Sequence, residues 1–356
     1  MKIAILSFYS GHVERGVENW TFELATRLMS SHKVVVFQNS APQKLPVYPV
    51  VSVNIPINWG RRDSRGTLLR YIYLDYWSLA IARFSLKIIP KLVRENFDVI
   101  IPTNGGWQTT VARLITWLRG KKMFVVGHSG KGWDEINGLW NFPNCFVALT
   151  DFARKWAKHI NPLVKSVVIP DGIDLNRFTE RGGRVKLNLP RPVYLAVGAP
   201  EPGKRLDLAI WAVAGLKRGS LVILGGGYDE EKVRSLGKKL LGERFLMTKV
   251  PYGEMPRYYR SADVFTLPSW GREAFGMVYL EAMASGLPVV ATDDGLRREI
   301  VGDAGILVDP TNIKVYAQAL QEASNTNWKG KPHEQAEKFS WDVIALQYEN
   351  LFASLT

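Results

Sequence analysis

The stretch Glu273-Ala274-Phe275-Gly276-Met277-Val278-Tyr279-Leu280-Glu281-Ala282-Met283-Ala284-Ser285-Gly286-Leu287-Pro288 organises the reading of this chain. Met277, Leu280 and Met283 recur at helical spacing, and Gly286 followed by Pro288 stops the run, so a helix is predicted over about Gly276 to Ala284. On its near side Asp263-Val264-Phe265-Thr266-Leu267-Pro268-Ser269 reads as a buried strand, and on its far side Pro288-Val289-Val290-Ala291-Thr292-Asp293 reads as the next. Strand, loop, helix, strand is a βαβ unit, and the loops that follow such strands are where open α/β sheets take ligands.

Two carboxylates punctuate that unit. Glu273 lies in the loop before the helix, and Glu281 about one and a half turns inside it. Gly276 leaves room for a ligand to approach backbone N–H groups, which together with the helix dipole favour phosphate. A diphosphate held there would have Glu281 beside the group on one side and Glu273 beside the group on the other, a geometry for a nucleotide sugar. Two glutamates near a helix start are ordinarily solvated residues that suit the dipole; it is the βαβ setting that makes them candidates for binding.

Outward from this unit, strands and helices alternate through the whole chain, which predicts an α/β protein of two doubly wound halves. In the first half strands are expected at Lys2 to Ser7, Lys33 to Gln38, Val99 to Pro102, Lys122 to Val126 and Cys145 to Leu149, with helices at Gly16 to Ser30, Leu68 to Asn96, Trp107 to Arg119 and Asp151 to His159. Asp171-Gly172-Ile173-Asp174-Leu175-Asn176-Arg177-Phe178 passes into a Gly- and Arg-containing stretch that reads as a linker. The second half opens with strand Val193 to Val197 and Gly198, then a helix from about Leu206 to Gly215, strand Ser220 to Leu224 and helix Glu230 to Leu241.

Composition sets the class. With 356 residues, 46% hydrophobic and 22% charged, the chain is that of a globular protein of two ordinary domains. The apolar run from Met1 to Tyr9 is too short for a signal peptide or a membrane span. The single cysteine, Cys145, allows no internal disulfide and fits a reducing cytoplasmic setting. Residues 1–170 carry 22 Lys+Arg against 10 Asp+Glu, a balance of +12, whereas residues 171–356 carry 24 against 23. The first half is therefore expected to meet an anionic partner: a phospholipid surface, a nucleic acid or an acidic acceptor. Trp59, the basic cluster Arg61 to Arg65, and the Leu, Tyr and Trp residues from Leu68 to Trp77 suit an anionic membrane, though a long helix packed on the sheet reads equally well from the later part of this region.

Taken together, Glu273 to Glu281, the glycines Gly11 and Gly16 after the first strand, Asp171-Gly172-Ile173-Asp174 and Phe339-Ser340-Trp341 closely resemble the retaining, family-4 (group 1) type of GT-B glycosyltransferases, over almost the entire chain. The resemblance implies two Rossmann-like domains facing a central cleft: an N-terminal acceptor-binding domain over 1–170, completed by a C-terminal helix over 342–355, a linker over 171–192, and a nucleotide-sugar-binding domain over 193–341. It implies that Glu273 hydrogen-bonds sugar hydroxyls, that Glu281 meets the nucleotide ribose, and that Lys204 reaches the donor diphosphate. His128, in the loop Gly127-His128-Ser129-Gly130-Lys131-Gly132, matches the family's active-site histidine; the other histidines are read as structural. The donor set expected from the resemblance is Gly16, Gly198, Lys204, Arg205, Arg272, Glu273, Phe275, Gly276, Met277, Val278 and Glu281, with His128, Glu273 and Lys204 catalytic. Base recognition is expected from backbone groups near Val250-Pro251-Tyr252.

One departure stands out. The family places an arginine just after the glycine equivalent to Gly198, and this chain has Ala199. Arg205 or Arg272 is expected to replace that cation. No Asp-x-Asp motif or His cluster with metal-ligand spacing is present, so neither metal nor cofactor is expected, the nucleotide sugar being a co-substrate. The expected activity is metal-independent, retaining transfer of a hexose from a UDP- or GDP-sugar to a glycan or lipid-linked acceptor, by a cytoplasmic enzyme with peripheral contact to the inner face of an anionic membrane. No recognisable nucleic-acid motif accompanies the basic half, so nucleic acid is not an expected partner. The alternatives are a sugar-nucleotide epimerase or sugar phosphorylase of the same architecture, and a non-enzymatic basic protein that binds nucleic acid or membrane.

Overall fold

The computed structural model describes residues 1–13, 16–41, 46–61, 67–270 and 273–354. Two compact units are found, one made of Met1–Asp171 with the segment from Ile344 onward, the other of Gly172–Val343.

In the first unit the elements are β1 (Lys2–Leu6), α1 (Gly16–Leu28), β2 (Lys33–Gln38), β3 (Val50–Ser52), α2 (Leu68–Tyr71), α3 (Tyr76–Glu95), β4 (Val99–Pro102), α4 (Trp107–Leu118), β5 (Lys122–Val126), α5 (Trp133–Trp140), β6 (Cys145–Ala148), α6 (Asp151–Ile160) and β7 (Ser166–Val168). The strands form one sheet in the order β3-β2-β1-β4-β5-β6-β7, and every pairing is parallel. A parallel sheet covered by helices on both faces needs strands that are apolar throughout, which is why Ile3, Ala4, Ile5 and Leu6 are all fully buried. The core gathers Leu6, Phe8, Phe37, Phe97, Ile100 and Met123 with Phe84, Ile88 and Leu92, a stripe at four-residue spacing along α3.

The helix expected from Leu68 to Asn96 is broken. Tyr73 takes a left-handed backbone (φ 55°), and Asp75 starts the chain afresh by accepting hydrogen bonds from the N–H groups of Trp77 and Ser78. Apolar spacing runs through this region without interruption, so the capping aspartate, rather than the periodicity, marks the true start of α3.

The second unit contains β8 (Val193–Val197), α7 (Leu206–Ala214), β9 (Ser220–Leu224), α8 (Glu230–Leu241), β10 (Phe245–Thr248), α9 (Met255–Tyr259), β11 (Val264–Leu267), α10 (Met277–Ala284), β12 (Val289–Thr292), α11 (Gly295–Val301), β13 (Gly305–Val308), α12 (Ile313–Asn325) and α13 (Lys331–Glu337). Its sheet, also parallel, has the order β10-β9-β8-β11-β12-β13. Both sheets thus run outward from a first strand in two directions, the doubly wound order in which a crevice opens beyond the strand ends where the winding reverses. In the second unit that switch point lies between β8 and β11.

Residues 172–192 have little regular structure but are packed into the second unit. Phe178 is fully buried against the rings of Tyr252 and Tyr259, each 5.8 Å away, and Ile173 bridges to Ser340. The last helix, α14 (Trp341–Ala353), begins in the second unit, and its residues from Ile344 onward belong to the first, where Tyr348 and Phe352 are buried and Phe352 meets Phe124 of β5 at 5.3 Å.

Candidate active site

At the switch point of the second sheet, the loop after β8 and the loop after β11 meet through a pair of charges. Gly198 follows β8 directly and donates its N–H to the Leu224 carbonyl at 3.0 Å. The chain then turns through Ala199, Pro200 and Glu201 into a short 3₁₀ turn, Pro202–Lys204. Lys204 therefore does not open the following helix, as its sequence position suggests; Arg205, left-handed at φ 47°, separates it from α7. From the end of this turn the Lys204 ammonium donates to both carboxylate oxygens of Glu273, each 2.7 Å away. Both side chains are mostly but not fully enclosed, at 24% and 16% exposure, so the pair is screened from bulk water yet open to a ligand.

Behind Glu273 the chain enters α10. Gly276 precedes the helix at φ 93°, where a Cβ would lie 2.6 Å from the Tyr279 ring, so both the backbone and the space demand glycine. No side chain caps α10. Met277 and Val278 form its first turn and are half-buried, while Phe275 is buried against the Phe339 ring at 6.0 Å. An uncapped helix N-terminus beside a lysine is a ready site for an anion, because the first N–H groups have no intrahelical acceptor.

Glu281 points into the unit instead of into the loop. Only 4% exposed, it accepts hydrogen bonds from the hydroxyls of Tyr259 at 2.6 Å and Tyr252 at 3.2 Å. Burial raises its carboxyl above the ordinary range, and the two phenols oppose that rise by favouring the charged form. Arg177 lies over the Tyr252 ring at 5.1 Å.

The cations expected to replace the one absent at Ala199 take different courses. Arg272 lies outside the described residues. Arg205 donates through Nε to the Pro268 carbonyl at 2.8 Å and through Nη2 to Thr292 Oγ1 at 3.3 Å, and its guanidinium lies 5.5 Å from the Trp270 ring. It thereby ties the end of β11 to the end of β12. On the other side of the same loop stands Arg297, fully buried, which pairs with Asp294 and donates to Ser269 Oγ, to the Trp270 carbonyl at 3.1 Å and to the Tyr279 hydroxyl at 3.4 Å. Arg297 was invisible as a site residue, because an Arg297-Arg298 tandem gives no sign of which member is buried.

Gly16 and His128 belong to the first unit. Gly16 opens α1 after the β1 loop, with open space where a Cβ would stand. His128 follows β5, its side chain 5% exposed, its ring edge-on to Trp20 of α1 at 4.6 Å. Its Nδ1 lies 3.9 Å from a carboxylate oxygen of Asp171, too far for a hydrogen bond, and its Nε2 has no hydrogen-bond partner. Asp171 had been read only as part of the linker motif. A β5-loop histidine and a residue some forty positions later carry no sequence signal of contact; the sheet order β5-β6-β7 brings them together across β6.

Residues 180–340 match the model of the family described as glycosyl transferases group 1. Over its whole length the chain is 27% identical to the phosphatidyl-myo-inositol mannosyltransferase of Mycolicibacterium smegmatis, covering 94% of that protein. In fold it is similar to the sucrose-phosphate synthase of Thermosynechococcus elongatus (TM-score 0.79, 20% identity, 99% of this chain and 98% of that one). It is likewise similar to the Anabaena protein HepE in complex with UDP (TM-score 0.74, 17% identity, 99% and 100%). With two parallel doubly wound sheets, a mannosyltransferase relative along its full length and residues 180–340, which hold Lys204 and Glu273, matching the group 1 family, the chain is a glycosyltransferase of GT-B fold.

Proposed function

We propose that this enzyme transfers a hexose from a UDP- or GDP-sugar to a lipid-linked or glycan acceptor with retention of configuration, using neither metal nor cofactor. The observation that carries the reading is the Lys204–Glu273 pair set beside the uncapped start of α10, at the switch point of the second sheet. In this reading the donor diphosphate lies against the first N–H groups of α10, and the Lys204 ammonium is shared between it and Glu273. Glu273, oriented by that lysine, binds hydroxyls of the transferred sugar, and Glu281 with Tyr252 lies on the ribose side.

A double displacement needs a carboxylate nucleophile at the anomeric carbon. Glu273 is engaged by Lys204 and Glu281 is buried under two tyrosines, so neither is placed as a free nucleophile. Same-face substitution suits the site better. The bond from the anomeric carbon to the phosphate oxygen breaks and its electron pair leaves with the nucleotide diphosphate. The acceptor oxygen then bonds to the same face of the sugar, and its proton passes to the departing phosphate oxygen. Lys204 and the α10 N–H groups stabilise the charge that grows on that oxygen.

For the acceptor, a lipid-linked molecule at an anionic membrane is the favoured class, met at the cytoplasmic face by peripheral contact. No helix among the described residues is long and apolar enough to cross a membrane. Yet Leu68, Leu69, Tyr71 and Ile72 of and beside α2 are exposed, at 74%, 53%, 49% and 48%, in a half of the chain with a charge balance of +12. The mycobacterial relative's name supports a lipid acceptor. The test is a panel of UDP-, GDP- and ADP-sugars assayed for nucleotide release with and without lipid-linked acceptors. Acceptor-dependent release that disappears in Glu273→Ala supports transfer; release of a free sugar phosphate, or epimerised donor, would instead identify a phosphorylase or an epimerase.

A further inference from the structure

His128 and Asp171 face each other across the end of β6, both almost wholly buried, at 5% and 7% side-chain exposure, with Nδ1 and the nearer carboxylate oxygen 3.9 Å apart. Nε2 of His128 and Oδ1 of Asp171 are both buried and without a hydrogen-bond partner. Buried polar atoms are nearly always satisfied, and an exception of this kind asks for a role.

We propose that Asp171 is a positioning residue for His128, holding Nδ1 so that the imidazole carries its proton on Nε2. The inference rests on the reading of His128 as an active-site residue. A side-chain movement of about 1 Å brings the carboxyl oxygen to hydrogen-bonding distance of Nδ1. The surroundings decide which partner donates. Trp20 stands edge-on to the imidazole and lies 6.0 Å from the Tyr348 ring, so an indole and a phenol stand beside the pair, and among the described residues burial alone sets the Asp171 carboxyl. Burial holds His128 down to about 3 and pushes Asp171 up to about 7, which favours the state with both groups neutral. In that state the carboxylic acid O–H donates to Nδ1, and the imidazole proton resides on Nε2, the atom left without a protein partner. The fixed tautomer follows from the hydrogen bond on the opposite nitrogen.

Among the described residues, Tyr348 and Cys145 near the pair do not change charge near neutrality. Tyr348, from α14, is raised well above its ordinary value by burial and by Asp171, and Cys145, at the start of β6 beside Tyr348, is pushed up to about 11 by burial. Trp20, from α1, carries no charge.

Three measurements on the full chain test this. In ¹⁵N-histidine spectra, assigned with a His128→Asn variant, the His128 ring is expected as the Nε2–H tautomer, becoming a mixture in Asp171→Ala. Asp171→Ala is expected to lower kcat by at least about tenfold with KM for the nucleotide sugar little changed. Asp171→Asn, whose amide N–H can donate to Nδ1, is expected to restore kcat to within about threefold of wild type. An Nδ1–H tautomer in wild type, an unchanged kcat in Asp171→Ala, or an Asn variant as impaired as the Ala variant overturns the proposal. If His128→Ala itself leaves turnover unaffected, it is the active-site reading of His128 that fails; if His128→Ala is impaired and Asp171→Ala is not, only the positioning role fails.

Discussion

Lys204 and Glu273, 69 positions apart in the chain, are joined by two 2.7 Å hydrogen bonds across the point where the second sheet reverses its winding. Each residue follows a strand of the sheet, β8 before Lys204 and β11 before Glu273. Among the described residues, the pair sets a lysine cation in place next to the uncapped start of α10.

Replacing that cation should affect the chemical step more than binding. Lys204→Met is expected to lower kcat by about 10²-fold, the range for losing one preorganised charge at a leaving group, and Glu273→Gln to raise KM for the donor as well. Steady-state nucleotide release measures both. Because the two residues touch, the double variant should fall short of the product of the single effects. Strict multiplicativity would mean that the contact has no functional weight.

Arg205 is expected to act on the site through the backbone. Its bonds to the Pro268 carbonyl and to Thr292 brace the start of the loop that carries Glu273. Arg205→Ala is expected to destabilise the protein by about 1.5–3 kcal/mol, as for other charged hydrogen bonds, with a parallel loss of turnover. Urea unfolding and kcat should shift together; lost turnover at unchanged stability would instead mark a direct contact with the diphosphate.

The buried pair in the first unit makes a prediction about pH. Asp171 stays protonated in the fold up to about 7 whereas the unfolded carboxyl ionises from 3.8, so its contribution is full at low pH and is lost as pH rises through that window. His128 stays neutral in the fold down to about 3 whereas the unfolded imidazole titrates at 6.5, so its contribution is full at high pH and is lost as pH falls. Over most of the shared interval the two slopes oppose each other, and wild-type stability should owe little pH dependence to this site. Asp171→Asn removes one slope and should leave stability rising with pH below 6.5 by roughly 1 kcal/mol per unit, read from urea midpoints across a pH series. A pH series parallel to that of wild type would show that the groups are not balanced in this way.

Membrane contact should depend on the exposed side chains of α2. Leu69→Asp and Ile72→Asp are each expected to weaken partition onto anionic vesicles by about tenfold or more, since each removes one buried aliphatic group and adds a negative charge. Vesicle flotation measures this. Equal binding by wild type and both variants would assign the attraction to general charge.

Much of the architecture could be read directly from the sequence because it rests on local pattern. Strands such as Ser220–Leu224 and helices such as Glu230–Leu241 have the limits expected from apolar runs and glycine punctuation. The edge strands Val50–Ser52, Ser166–Val168 and Phe245–Thr248 were not foreseen, since three or four residues, most of them only partly buried, leave no such run. Within the site, Glu273 and Gly276 could be picked out by their place in a predicted βαβ unit, and Lys204 only through the resemblance. Which polar groups face them could not. Tyr252 and Tyr259 on Glu281, Arg297 beneath Trp270 and Asp171 beside His128 are contacts between segments far apart in sequence, set by sheet order and not by any neighbour along the chain.

Helix α14 has a consequence for the order of assembly. Ile344, Tyr348 and Phe352, each no more than 1% exposed, complete the unit that Met1–Asp171 begins, while Gly172–Val343 is contiguous. During vectorial synthesis the second unit has its whole sequence available before the first does, although the first is made earlier. The unit that contains His128 must therefore wait, its apolar face open, until α14 leaves the ribosome; removal of α14 would injure the unit that begins at Met1.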